Sequence, residues 1–134
     1  PALRNVAPKK INEDVVVPVS EIPALIGGLK ALSDEYQVTI VNFGHAGNGN
    51  IHVNLLVDPD DPLQMAQAAP CLDAVFNLVL SLGGSLSGEH GIGWVKREFV
   101  GRELDSTSLR LMAAIKRQFD PDNILNPGVG LPDS

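Results

Sequence analysis

The chain has 134 residues, the usual size of a single domain, and 44% of them are hydrophobic. Its formal net charge of −6 and its lack of a basic run argue against binding to nucleic acid or to anionic lipid. Cys71 is the only cysteine, which excludes an intrachain disulfide and cysteine-based zinc or iron–sulfur sites.

The same composition bears on where the protein works. The N-terminal residues lack the apolar core of a signal peptide, and no uninterrupted apolar run approaches the roughly 20 residues of a spanning helix. A lone cysteine favours a reducing compartment. We therefore expect a cytoplasmic location, with association with the inner face of a membrane left open. The absence of an initial methionine suggests a fragment of a longer protein.

The first half of the chain alternates strand and helix patterns. Asp14–Val19 is short and β-branched, and the proline near its end predicts a strand at or near a sheet edge. Ser20 is a predicted N-cap, and apolar residues at a spacing of about 3.6 predict an amphipathic helix to about Glu35. Val38–Phe43 and Ile51–Val57 are apolar β-rich runs joined by a glycine-rich turn, which together predict a hairpin.

The second half is predicted to be mainly helical. Asp61 followed by Pro62 is typical of a helix start, and the helix should continue to Leu82, with Pro70 kinking or restarting it. A glycine-punctuated loop or short strand should follow as far as Gly93.

A short helix or turn over residues 94–100 and a final helix over about Ser106–Phe119 should complete the fold. Asp120-Pro121 should end that final helix. Its periodicity predicts a core-facing stripe of Leu109, Met112, Ile115 and Phe119.

All three histidines lie among glycines and beside other polar groups, which indicates a site. If Asn48-Gly49 is the two-residue type I′ turn that this dipeptide favours, His45 faces His52 across the hairpin. Directly opposed residues have Cβ atoms about 4.5–5.5 Å apart, so both imidazoles could bind one metal. Asn54 would follow on the same face, although the neighbouring glycines also permit a longer loop.

A carboxylate from a separate loop would complete a three-ligand catalytic metal site, and Glu89 is the best candidate. Each feature also has a structural interpretation. A single histidine is usually a hydrogen-bonded structural residue, and the glycines mark turns, because they lack the spacing of phosphate-binding loops. Arg4, Lys9 and Lys10 are typical solvated charges, and Cys71 is typical of a buried thiol.

Three motifs carry a family resemblance: GHAGNGNIHVN, GGSLSGEHGIG and IKRQFDPDNILNPG. In order and spacing they resemble the C-terminal domain of FAD-linked oxidases of the vanillyl-alcohol oxidase superfamily. The most similar branch holds D-lactate dehydrogenases, glycolate oxidase and D-2-hydroxyglutarate dehydrogenase. The resemblance implies that residues 1–134 form part of a substrate-capping domain. The fold would be α+β, an antiparallel sheet with helices packed on one face, similar to ferredoxin-like folds.

The resemblance also implies a role for individual residues. FAD would be held mainly by a separate N-terminal domain. His45, His52 and Glu89 would be ligands of zinc or a similar divalent ion. His90 would be the base that takes the proton of the substrate hydroxyl. Asn54 and, as a weaker match, Arg4 would contact the substrate, and Asn126 would lie toward the flavin.

Two departures from the family pattern concern substrate choice. Asn48 replaces the acid of the common GDGN, and Lys10 is only a rough match to a substrate-gripping lysine.

The implied function is a FAD-dependent D-2-hydroxyacid oxidoreductase that transfers hydride to the flavin. The fragment alone is expected to be colourless and inactive. A non-catalytic metal-binding or subunit-interface module derived from the same fold is the alternative, and the 2-hydroxy acid, the electron acceptor and a homo-oligomer are left open.

Overall fold

A computed structural model describes residues 9–45 and 47–131, without the side chain of His45. The chain divides into two compact units, with the boundary between Glu89 and His90.

The first unit contains a three-stranded antiparallel sheet and two long helices within the described residues. The strand order is β1-β3-β2, so the last strand in sequence is the central one. The elements in chain order are β1 (Lys9–Val16), α1 (Ile22–Tyr36), β2 (Thr39–His45), β3 (Asn50–Val57) and α2 (Pro62–Ser81).

The core of this unit is aliphatic, as the low aromatic content of 4% predicts. Helices α1 and α2 pack on each other, α1 contacts β2, and α2 contacts β3. Alternation along β3 gives the sheet one strongly apolar set of positions, and burial of these positions against the helices is the main driving force for folding. The fully buried side chains include Leu25, Leu29, Val53, Leu55, Val75, Phe76 and Val79. The predicted α+β class, an antiparallel sheet with packed helices, is confirmed.

Predicted boundaries near the N-terminus differ from the structure. β1 spans Lys9–Val16 rather than Asp14–Val19: its pairing with β3 outweighs the polar local sequence at its start, and Val19 lies in a 3-10 turn. Its predicted edge position is confirmed. Ser20 is not an N-cap: it lies within a single 3-10 turn, Val19–Glu21, and α1 then starts without a side-chain cap.

Helix α2 starts as predicted, with the Asp61 carboxylate accepting hydrogen bonds from the N–H groups of Leu63 and Gln64. Pro70 neither ends nor restarts it, and the helix is continuous through this position. By length and composition alone α2 could cross a membrane, although polar residues interrupt its apolar sequence. The core helix of a soluble protein can have the same length and composition, and Val75 and Phe76 of α2 are fully buried.

Cys71 lies on the buried face of α2, and we expect its thiol to be unreactive in the folded protein. Burial, and secondarily the nearby Glu35 carboxylate, raises the pKa of Cys71 from 9.0 to about 11. Because the thiolate is the nucleophile, this shift alone should slow alkylation roughly hundredfold near neutral pH. Iodoacetamide labelling followed by mass spectrometry should modify Cys71 only after denaturation. Rapid labelling of the native protein would contradict its burial.

The second unit is formed by short helical segments and one longer helix. After a 3-10 turn at Arg97–Phe99 come α3 (Val100–Glu103) and α4 (Ser106–Phe119). The bounds of α4 agree with the prediction, and the Asp105 carboxylate caps it through the N–H groups of Thr107 and Ser108.

The predicted burial of the apolar stripe of α4 is wrong for the described structure. None of the residues of this helix is buried, and the Phe119 side chain is 82% exposed. Periodicity predicted the helix and its apolar side correctly. It could not show whether other residues cover that side. Leu109 is half-buried, whereas Met112 and Ile115 are exposed.

Asp120 ends α4, as predicted, and organises the turn that follows. Its buried carboxylate accepts hydrogen bonds from Lys116 and from the N–H groups of Ile124 and Leu125, at 2.9 Å each for the two backbone donors. The Lys116 hydrogen bond, followed by the backbone donors, lowers the pKa of Asp120 against the opposing effect of burial.

Candidate functional site

The hairpin that carries two of the histidines has a different register from the two-residue turn considered above. His52 pairs with Phe43, and the backbone of His45 pairs with Asn50. The direct pairing of His45 with His52 is therefore wrong. The two histidine positions instead belong to cross-strand pairs that are separated by the Gly44–Ile51 pair, and the His45 side chain lies outside what the structure describes.

The glycine-rich turn explains this register. A type I′ turn needs a positive φ at both central residues, and of Asn48 and Gly49 only Gly49 has one, at 77°. The Asn48 side chain instead accepts a hydrogen bond from the Asn50 N–H at 3.1 Å. Gly49 O accepts from the Val17 N–H, also at 3.1 Å, so the longer loop is fastened to the end of β1. An Asp at position 48 could accept the same hydrogen bond.

His52 and Glu89 come together within the first unit. Their Nε2 and Oε1 atoms are 3.3 Å apart, with the His52 side chain 13% exposed and that of Glu89 52% exposed. Two ligands at 2.0–2.1 Å from a tetrahedral zinc are separated by about 3.3–3.4 Å, so this spacing also suits two donors to one ion. An imidazole nitrogen and a carboxylate oxygen are donors that such an ion accepts, and the donor chemistry therefore fits.

The ring of His52 is held from the neighbouring strand. Its centroid lies 5.4 Å from that of Phe43 in a tilted arrangement, the geometry expected of cross-strand aromatic partners. Phe43 is itself half-exposed, so this contact restricts the imidazole without closing it off from the solvent.

The loop that carries Glu89 is fastened to β1. Val16 and Ser85 exchange backbone hydrogen bonds of 3.1 and 2.8 Å, forming an isolated antiparallel bridge. Further along the loop, the Asp14 Oδ2 atom accepts hydrogen bonds from the N–H groups of Gly88, at 2.8 Å, and Glu89. The Asp14 side chain is fully buried.

Gly88 is required by the close approach of this loop to the sheet. A Cβ at position 88 would lie 2.3 Å from the Asn50 Oδ1 atom and 3.1 Å from the Asp14 Oδ2 atom. A side chain would therefore push the loop away from both groups.

Two buried asparagines on β3 each have an unsatisfied oxygen. Asn54 donates through Nδ2 to the carbonyl oxygen of Val41 at 3.3 Å, but its Oδ1 atom accepts no hydrogen bond from the described residues. The same holds for the Oδ1 atom of Asn50. Buried acceptors normally have partners. Asn54 is fully buried, and its predicted contact with a substrate stays a prediction.

The other predicted site residues are placed less fully. Arg4 lies outside the described residues, and His90 follows Glu89 directly as the first residue of the second unit. Asn126 adopts a left-handed φ of 45° and lines a groove of about 260 Å³ in the second unit, together with Lys116 and Arg117. Their predicted roles stay predictions.

Asp14 was not predicted as a residue of the site. The sequence predicts a strand that contains Asp14, but it does not show which strand pairs with it. The antiparallel register places Asp14 opposite His52. A charged residue at the start of a β-branched run, DVVVPV, was the available signal, since an inward-pointing acid in a strand needs a partner.

Comparison with known proteins identifies the family to which the chain is similar. The sequence matches the family of FAD linked oxidases, C-terminal domain, over residues 1–129. It is 36% identical to the glycolate oxidase subunit GlcD of Bacillus subtilis over 127 residues, which cover 95% of this chain and 27% of that protein. It is 38% identical to a D-lactate dehydrogenase of Anaerostipes hadrus over 116 residues, which cover 86% of this chain and 24% of that protein.

A solved structure supports the fold. The 4-ethylphenol oxidase from Gulosibacter chungangensis, in its isoeugenol complex, matches 92% of this chain and 24% of its own with a TM-score of 0.57 and 21% identity. The chain therefore belongs to the family of the C-terminal domain of FAD linked oxidases, which confirms the resemblance seen in its motifs. It spans about a quarter of the length of the curated relatives it matches.

Proposed function

We propose that this chain is the substrate- and metal-binding part of a FAD-dependent oxidoreductase that acts on D-2-hydroxy acids. The observation that carries the proposal is the 3.3 Å approach of His52 and Glu89, which brings together the two glycine-rich motifs of the sequence. The names of its relatives, glycolate oxidase subunit and D-lactate dehydrogenase, support a small 2-hydroxy acid as the substrate.

In this proposal His45, His52 and Glu89 hold a divalent metal, with zinc as the first candidate. Two imidazoles and a carboxylate leave a coordination position free for a substrate, as in catalytic rather than structural sites. When bound, such an ion supplies Lewis acidity that lowers the pKa of a substrate hydroxyl.

The remaining roles belong to binding and proton transfer. His90, adjacent to Glu89 in the chain, would take the proton from the substrate hydroxyl, and a bound flavin would supply the hydride acceptor. Arg4 binds the substrate carboxylate through paired hydrogen bonds, which favours hydroxy acids over plain alcohols. Asn54 contributes a polar contact to the substrate, and Asn126 lies toward the flavin.

A partner domain follows from the same proposal. Its FAD would be held mainly by an N-terminal FAD-binding domain, and family membership supports this arrangement. The chain by itself offers no glycine-rich loop with the spacing of a phosphate-binding motif.

The test is reduction of the flavin in the FAD-loaded protein under anaerobic conditions. Addition of D-lactate or glycolate should bleach the visible absorption band of oxidised flavin, because hydride transfer reduces the flavin. Propan-1-ol, which has a hydroxyl but no carboxylate, is the matched control and should leave the band unchanged. If dithionite bleaches the flavin but a panel of D-2-hydroxy acids does not, the chain is a binding module rather than part of this enzyme.

A further inference from the structure

Asp14 has a fully buried carboxyl group that contacts the backbone of another segment. Its Oδ2 atom accepts two consecutive N–H groups, those of Gly88 and Glu89. These residues are separated from Asp14 by more than 70 positions in the chain. The contact is therefore a tertiary one, made between the edge strand β1 and the loop that follows α2.

The final residues of this loop contact β1 through Asp14. The loop is glycine-rich and irregular after the Val16–Ser85 bridge, and the Glu89 side chain is 52% exposed. A carboxylate that accepts two backbone donors forms charge-assisted hydrogen bonds, which are stronger than neutral ones. Asp14 thus fixes the peptide units on either side of Gly88.

The sheet register links this contact to His52. Asp14 and His52 are cross-strand partners in the β1–β3 pair, so the strand that carries the imidazole is hydrogen-bonded to the strand that anchors Glu89. Gly88 permits the close approach, since any side chain there would overlap Asn50. The backbone of Glu89 is consequently linked to the strand that carries His52 through Asp14 and the β1–β3 pairing.

We propose that Asp14 is a positioning residue that holds the backbone of Glu89 and so sets the distance of the Glu89 carboxylate from His52. This inference rests on the proposed metal-binding function of those two residues. In this role Asp14 acts through the backbone, because its Oδ2 atom accepts the two N–H groups. Removal of an outer partner that orients a ligand typically lowers metal affinity 10- to 100-fold.

The test compares Asp14→Asn with the unchanged flavin-containing protein. Asparagine keeps the shape but offers a neutral acceptor, and Zn²⁺ affinity, measured by competition with a chelating dye, should fall about 10- to 100-fold. The visible spectrum of the Co²⁺-substituted protein should also change, because it reports ligand geometry. Asp120→Asn is the matched control: Asp120 is also a buried carboxylate with two backbone donors, and its replacement should alter neither readout.

A second measurement does not depend on metal. Amide hydrogen exchange at Gly88 and Glu89 in the metal-free protein should accelerate at least about tenfold in Asp14→Asn, because a stabilising acceptor for both N–H groups is weakened. If Asp14→Asn does not fold, Gly88→Ala should give the same exchange and spectral changes by displacing the loop.

The outcomes separate the two proposals. Unchanged affinity, spectrum and exchange in a folded Asp14→Asn protein would overturn the positioning role. If the unchanged protein binds neither Zn²⁺ nor Co²⁺, the metal part of the proposed function fails instead, and the exchange of the two amides then decides whether Asp14 holds the loop.

Discussion

Replacing His52 with alanine should remove the bound divalent ion, from roughly one per chain to nearly none. His52 supplies a nitrogen donor 3.3 Å from the Glu89 oxygen, and alanine at this position removes that imidazole donor. With one of three proposed ligands lost, only His45 and Glu89 would remain to hold the ion. Elemental analysis of the purified protein, normalised to chain concentration, measures the result.

Phe43→Leu is the matched control for the His52 substitution. It removes the aromatic ring 5.4 Å from the imidazole and keeps the imidazole itself, so the ion should be retained. Both positions lie on the hairpin and are cross-strand partners, so similar losses of packing are compared. An unchanged metal content in folded His52→Ala protein would refute its assignment as a ligand.

The fold was predictable from the sequence wherever a local signal determines an element. Asp61 is a strong cap, and α2 starts where it predicts. The final helix has its predicted bounds, Ser106–Phe119, and the structure shows Asp105 as its cap. The hairpin strands were predictable from their β-branched runs. The start of β1 was not, because Lys9 and Lys10 become part of a strand only through pairing with β3.

The site was predictable as a set of residue types but not as a geometry. The glycine-rich motifs marked His52 and Glu89. The hairpin register, however, depended on the sign of the φ angle at Asn48, and asparagine can adopt either sign. The proposed role of Asp14 depends on a contact with Gly88, from which it is separated by most of the sequence of the first unit. Spacing along a chain carries no information on such a contact.

The apolar side of α4 illustrates a different limit. Periodicity shows which residues share a face, and hydrophobicity shows that the face tends to be covered. Neither pattern shows which residues cover the face. Among the described residues none buries Met112, Ile115 or Phe119.

Replacing His90 with alanine should lower kcat for a D-2-hydroxy acid by about 10² to 10⁴, the usual contribution of general acid–base catalysis. The proposed role requires a neutral imidazole that accepts the substrate hydroxyl proton as hydride leaves, and alanine removes that acceptor. Metal content should stay nearly unchanged, because the proposed ligands His45, His52 and Glu89 remain. Stopped-flow measurement of flavin reduction reports the chemical step directly.

Two further measurements distinguish a base from a ligand at position 90. Added imidazole should restore part of the flavin reduction rate in His90→Ala, since a free imidazole can accept the proton in the space the side chain leaves. A deuterium isotope effect from substrate labelled at the carbinol carbon should persist, because hydride transfer is still required. If His90→Ala instead loses its metal, and each remaining metal-loaded molecule reduces flavin at the original rate, His90 binds the metal and another group accepts the proton.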